Sequence, residues 1–215
     1  MPSRDPIRVW DRRRARYVEE RVYGEAWIRR LYDNPVGRRV SELLAGPGVS
    51  TLMGAYYDSR FSVPKIERFV EAFEIPMDEY VEEPWSSFNQ FFVRRFRRGR
   101  RPFDDGPDRM PAFAEGRYFG WRRVVPESTM PVKGVWLRAA AVLAGGGREG
   151  DRWIPRFEGG PVLLARLCPV DYHRYHYPDR GTTAAAWRIP GPLHSVNPIA
   201  LAARGDILCR NERRV

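Results

Sequence analysis

From about residue 110 onward, this chain never holds one texture for long. Short apolar or alternating runs (ARLC at 165–168, AAAWRI at 184–189, GDILCR at 205–210) are cut apart by glycine and proline. Glycine admits backbone angles closed to other residues, and proline removes an amide donor, so no long helix survives that punctuation. Runs of this length between turn residues read as strands. One exception lies in VKGVWLRAAAVLAGGG, where a short helix is expected over about 136–144, ending at the glycines. GGGREGD at 145–151 reads as a loop. The first 84 residues carry a different period. Val18, Val22 and Ala26 recur every four residues, and Trp27, Ile28 and Leu31 widen that stripe. Ile66, Phe69, Val70 and Phe73 make a cleaner i, i+3, i+4, i+7 set. Ser62 is the expected N-cap of that helix, Pro64 suits its first turn, and Ile75-Pro76 stops it. Between these lies VSELLAGPGVSTLMGAYY at 40–57, an amphipathic helix pair resting on a core or on a lipid surface. The expected fold class is α+β. A helical region over 1–84, able to associate with a membrane, precedes a mostly antiparallel, β-rich domain over 85–215.

The 215 residues are 43% hydrophobic, enough for one large domain with a core, or a smaller domain with a helical extension. The net charge of +10 favours anionic partners: phospholipid head groups, nucleic acid or acidic proteins. Among the 37 basic residues only Lys65 and Lys133 are lysine, a bias that base composition of the coding sequence explains, so arginine richness alone carries no function. Cys168 and Cys209 lack CxxC spacing, which argues against a zinc site or a disulfide framework and for reduced thiols. No apolar run approaches the roughly 20 residues a spanning helix needs. MPSRDPIRVWDRRRAR at the start has no apolar signal core. A soluble or surface-held protein is expected.

Chemistry concentrates in VDYHRYHYPD at 170–179. His173 and His176 lie three residues apart, Tyr172, Tyr175 and Tyr177 flank them, and Arg174 sits between. Histidine is the side chain best suited to give and take protons near neutral pH. The plainer alternative is one core and one surface histidine. A second unusual stretch is FNQFFVRRFRRGRRP at 88–102, an aromatic knot followed by six arginines within 94–101. It reads either as a helix with Phe88, Phe91 and Phe92 packed inward and its arginines solvated, or as an anion-facing patch. No HExxH pattern accompanies the histidines, so a metal hydrolase is disfavoured and no metal is expected. A nucleic-acid module would use RRFRRGRR but leave the histidine segment unexplained.

Taken together with AEGRYFGW at 114–121, LHSVNP at 193–198 and NER at 211–213, these segments in this order resemble the phosphatidylserine decarboxylase family. ARLCPVDYHRYHYPDRG at 165–181 is the most specific part of that resemblance. VKGVWLRAAAVLAG resembles the family's Lys-Gly segment, and GEAWIRRLYDNPVGRR and YYDSRFSVPKIERFVEAFEI resemble the helical part of one branch, so the resemblance covers about residue 20 to 215. It implies a pyruvoyl enzyme made by self-cleavage of a zymogen. A serine attacks the preceding glycine carbonyl, an acyl shift and elimination follow, and a pyruvoyl ketone remains that condenses with the substrate amine and accepts electrons as carbon dioxide leaves. Mapped onto this chain, His176 matches the base of the self-cleavage triad and His173 the residue of substrate handling and decarboxylation. Glu115, in FAEGR, stands where the family has an aspartate. One extra methylene displaces its carboxylate by about 1 Å, enough to matter for a triad.

The resemblance also implies a partner. The family continues past NER with further strands and a Leu-Gly-Ser-Thr cleavage site. No such motif occurs in this sequence, and Ser195, within LHSVNP, is not the cleavage serine. The expectation is therefore a β-chain-like or truncated proenzyme whose pyruvoyl group comes from a serine outside it, on an α subunit. The alternative is a catalytically inactive lipid-binding homologue. The expected substrate is an aminophospholipid. The expected setting is peripheral, on the cytoplasmic side of the cell membrane at an anionic phospholipid surface, with no nucleic-acid partner.

Overall fold

The computed structural model describes residues 8–20, 30, 32, 35–102, 106–123, 130–132, 135–137, 139–196, 198–203 and 206–215. In chain order its elements are β1 (Arg8–Asp11), β2 (Arg16–Glu19), α1 (Pro35–Leu44), α2 (Pro47–Asp58), α3 (Pro64–Phe73), α4 (Phe88–Phe92), β3 (Arg117–Trp121), β4 (Met130–Val132), β5 (Val135–Leu137), α5 (Ala139–Leu143), α6 (Gly147–Phe157), β6 (Val162–Arg166), β7 (Arg188–Ile189), α7 (Pro198–Ala203), α8 (Ile207–Arg210) and β8 (Arg213–Arg214). The fold is α+β, as expected. Its strands pair as small two-stranded sheets, β1 with β2, β3 with β6, β4 with β5 and β7 with β8. The chain divides into two compact units, residues 1–50, 120–163 and 183–215 in one and 51–119 and 164–182 in the other. That division is not the boundary at 84/85 read from the sequence.

In the first unit, β1 and β2 form an antiparallel hairpin where helical spacing suggested a helix through Val18. Two local features outweigh the spacing. The Asp11 carboxylate accepts the amides of Arg13 and Arg14 at 2.9 and 3.0 Å, closing the turn. Trp10 stands opposite Tyr17, their ring centroids 5.2 Å apart edge to face. Val22, Ala26, Trp27, Ile28 and Leu31 lie outside the described residues. Tyr32, Ala200, Leu201 and Ile207 build the unit's core. GDILCR, expected as a strand, instead contains a helical turn over Ile207–Arg210. The Asp206 carbonyl just ahead of it accepts the amides of both Cys209 and Arg210, and Ile207 O accepts that of Asn211. AAAWRI contributes only Arg188–Ile189 to a strand. The helix expected over 136–144 is shorter, α5 over Ala139–Leu143, because Val135–Leu137 form β5; Gly145 follows at a φ of 88°, and the loop expected over 145–151 gives way at Gly147 to α6. LHSVNP and NER meet: Asn211 Nδ2 donates to His194 O at 2.8 Å, and His194 N donates to Asn211 Oδ1 at 3.1 Å.

The second unit packs around Ile66, Phe69, Ile75, Tyr80 and Phe91. Two of these, Ile66 and Phe69, belong to the stripe read from the sequence, and Val70 and Phe73 pack against them. Glu74 turns left-handed at a φ of 51° and ends α3, letting Ile75 N return to Val70 O at 3.1 Å. Ser62 is not the cap of α3; Val63 holds that position without a side-chain bond. Ser62 is instead fully buried, donating to Ser59 O at 2.7 Å and accepting the Phe88 amide at 2.8 Å. The helix pair expected over 40–57 is α1 and α2, broken at Ala45-Gly46. Ser87 caps α4 by accepting the Gln90 amide at 3.1 Å, and Gln90 Oε1 returns to the Ser86 amide.

Candidate functional site

All three residues singled out by the sequence belong to the second unit. Residue 114 bridges residue 175 in antiparallel fashion, and His176 N donates to Phe113 O at 2.9 Å. The segment carrying Glu115 therefore runs beside the histidine segment. Gly116 follows because no side chain fits: a Cβ there would meet Arg166 O at 2.7 Å.

His173 is half-buried. Its Nδ1 donates to the Asp171 carbonyl at 2.9 Å, which fixes the neutral tautomer and leaves Nε2 as the proton-accepting nitrogen. Phe92, the last residue of α4, lies against the ring, centroids 3.9 Å apart. Burial holds the His173 pKa below the ordinary histidine value. The Asp171 carbonyl bond and the charges of Asp171 and Glu115 pull the other way, and Arg94 pushes with burial. Asp171 is itself buried. It accepts from Arg117 Nη1 at 2.6 Å and from the Cys168 amide at 2.6 Å, so its charge is paired and the turn entering the histidine segment is closed.

His176 lies nearer the surface, with Nδ1 donating to Tyr177 O at 2.8 Å. Tyr175 and Tyr177 on either side are 84% and 76% exposed, so they frame the ring rather than bury it. The Glu115 carboxylate accepts the Tyr172 amide at 3.0 Å and the guanidinium of Arg101. Arg101 also holds Glu79 at 2.9 Å through Nε. Burial opposes the Arg101 charge, but the bond to Glu79 and the charges of Glu115 and Glu79 outweigh it and raise its pKa. Orientation of His176 through its Nδ1 thus comes from a backbone carbonyl, while Glu115 is fixed by a guanidinium and an amide.

The arginine-rich stretch is not one open patch. Residues 79–81 pair with 95–97, Arg97 N donating to Glu79 O at 2.9 Å and Val81 N to Arg95 O at 2.8 Å. This sets DEYVEE opposite RRFRRGR. Arg95 reaches Glu83 at 3.9 Å, Arg97 reaches Glu82 at 3.7 Å and Arg100 reaches Asp78 at 3.7 Å. Arg94 turns inward altogether. No local signal in the sequence marks Glu79, Arg101 and Arg94 as a site's supports, because their partners lie across the unit. Among the described residues no cluster of three or more His, Cys, Asp or Glu could hold a metal ion, and no helix is long and apolar enough to cross a membrane.

Comparison with known proteins gives the class. Residues 88–215 match the family model described as phosphatidylserine decarboxylase, an enzyme family of pyruvoyl-dependent carboxy-lyases. The chain belongs to that family. It is 32% identical over 210 residues to the phosphatidylserine decarboxylase proenzyme of Ruminiclostridium cellulolyticum, covering 96% of this chain and 68% of that one. The proenzymes of Clostridium novyi and Desulfitobacterium hafniense are 33% and 32% identical, again over 96% of this chain and over 70% and 69% of theirs.

Proposed function

We propose that this chain is the histidine-bearing part of a phosphatidylserine decarboxylase, which turns phosphatidylserine into phosphatidylethanolamine and carbon dioxide in phospholipid biosynthesis. The observation that carries the reading is His173: a neutral imidazole packed at a tilt against Phe92, with Nδ1 committed and Nε2 left for proton transfer. The donor set suits a pyruvoyl group supplied from an α subunit, since a carbonyl that accepts electrons needs beside it a proton carrier without permanent charge. When bound, that group supplies the carbonyl that draws the electron pair released with carbon dioxide. His173 would take a proton at Nε2 from the substrate ammonium, freeing the amine to condense, and would return that proton to the substrate carbon. His176, nearer the surface, takes the proton of the cleavage serine during maturation, and Glu115 supplies the negative charge beside the histidine segment.

The exposed apolar side chains fit a membrane surface on the cytoplasmic side of the cell. In one unit Leu52 and Phe61 are 73% and 70% exposed, and the Arg60 guanidinium lies 5.4 Å from the Phe61 ring centre. In the other, Val36, Val40 and Leu43 make an exposed stripe along α1. The acid partners of Arg95, Arg97 and Arg100 favour this over nucleic acid, for which a run of open cations would serve better. An inactive lipid-binding homologue is the second reading, favoured by the engagement of Glu115 with Arg101. The test joins this chain to the family's C-terminal segment carrying Leu-Gly-Ser-Thr. Cleavage on a gel and carbon dioxide release from carboxyl-labelled phosphatidylserine support the first reading. Liposome binding with neither supports the second.

A further inference from the structure

Arg94 is 1% exposed, and its Nε and Nη1 have no hydrogen-bond partner in the described structure. An arginine is charged at every working pH, and a buried guanidinium short of partners is costly to keep. What it does make is directed at the histidine segment. Nη2 donates to Val170 O at 2.9 Å and lies 3.4 Å from the Tyr80 hydroxyl. The guanidinium carbon sits 4.4 Å from the Tyr80 ring and 4.9 Å from the Phe91 ring. Its two neighbours act alongside it. Phe92 covers the His173 ring, and Val93 O accepts Arg174 Nε at 2.7 Å. Three consecutive residues at the end of α4 therefore grip residues 170, 173 and 174.

We propose that Arg94 is a positioning residue for His173, a buried cation that locks the histidine segment onto α4 and sets the electrostatic surroundings of the ring. The inference rests on reading His173 as the proton carrier of the decarboxylation. Geometry supplies the lock: removing the bond to Val170 O frees the carbonyl three residues ahead of the ring. Charge acts on the ring as well. Burial is the largest influence and disfavours the imidazolium; the Asp171 and Glu115 carboxylates favour it, and the Arg94 guanidinium acts with burial against them. A proton carrier that is neutral at rest can accept a proton as well as return one.

The chain has only three histidines, so ring titrations by NMR of the intact 215-residue protein are tractable. His173→Gln assigns the His173 signal. The wild-type ring is expected to titrate below the ordinary value of about 6.5. Arg94→Met is expected to raise that midpoint by roughly half a pH unit, leaving His194 unchanged, while Arg94→Lys, which keeps the charge, stays near wild type. A loss of structure alone does not separate methionine from lysine in this way. If Arg94→Met does not fold, Arg94→Gln, which retains an amide donor but no charge, is read in its place and is expected to shift as methionine does. An unchanged midpoint in the neutral variant, or a lysine variant that shifts equally, overturns the proposal. This outcome is independent of turnover: a decarboxylase whose His173 ignores Arg94 sinks only the inference. A chain with the expected titration but no decarboxylation sinks only the function.

Discussion

Replacing Ser62 with alanine removes one hydroxyl, and its consequence should appear 26 residues away. The Ser62 Oγ accepts the Phe88 amide at 2.8 Å and is itself fully buried. Phe88 opens α4, a five-residue helix too short to hold itself. Without the hydroxyl, that amide is left unsatisfied in the interior, a loss of about 1–3 kcal/mol. The carbonyl of Ser59, which receives the Ser62 hydroxyl, also accepts the Ser62 amide at 3.1 Å and stays bonded. The net is therefore near the middle of that range, about 2 kcal/mol. With a urea m-value of about 2 kcal/mol/M, the midpoint for the affected unit falls by about 1 M. Ser59→Ala, which removes a bond to Tyr56 O near the surface, should move it by less than about 0.5 kcal/mol. An N-cap at Ser62 would give a similar loss of stability, so location decides. Amide exchange should quicken at Phe88 and along α4 in Ser62→Ala. Loss of protection confined to Lys65 and Ile66, with Phe88 unchanged, refutes the reasoning.

In the chain joined to the family's C-terminal segment, His176→Ala should stop self-cleavage, and His173→Ala should permit cleavage but abolish carbon dioxide release. Processing at the wild-type rate in both variants overturns the assignment. Glu115→Gln should slow cleavage by about tenfold or more, since an amide cannot stabilise an imidazolium as a carboxylate does, whereas Glu115→Asp should match or exceed wild type. Stability should fall as the solution is acidified. Burial lowers the folded pKa of both His173 and His194, so their contribution is whole above the unfolded value of about 6.5 and is lost as pH falls through it toward the folded values. Thermal melts from pH 7.5 to 5.5 should show a declining midpoint that flattens in His194→Gln, and a midpoint that rises on acidification would reverse the sign. Leu52→Ser with Phe61→Ser should weaken sedimentation with anionic liposomes without lowering the thermal midpoint, and unchanged binding would remove these side chains from the membrane contact.

The parts of the fold legible in the text of the chain are those that short-range chemistry controls. The apolar stripe of α3, the break between α1 and α2 at Ala45-Gly46, the FNQFF helix and the glycine stop after α5 all depend on neighbours within a few residues. DYHRYHYPDRG carried the family for a similar reason, being a contiguous string whose chemistry is concentrated in one segment. Val18 defeated the four-residue spacing because Asp11 closes a turn and Trp10 finds Tyr17. Ser62 has the chemistry of a cap in either role, and only the arrival of Phe88 decides which amide it serves. Six arginines in eight residues look alike as text. Tertiary packing separated them, turning Arg94 onto Val170 and Arg101 onto Glu79 and Glu115, while Arg95, Arg97 and Arg100 met acids of the 78–83 segment through the 79–81 and 95–97 pairing. The partners that set each arginine's role come from distant parts of the chain, so the distinction existed only once the unit had closed around them.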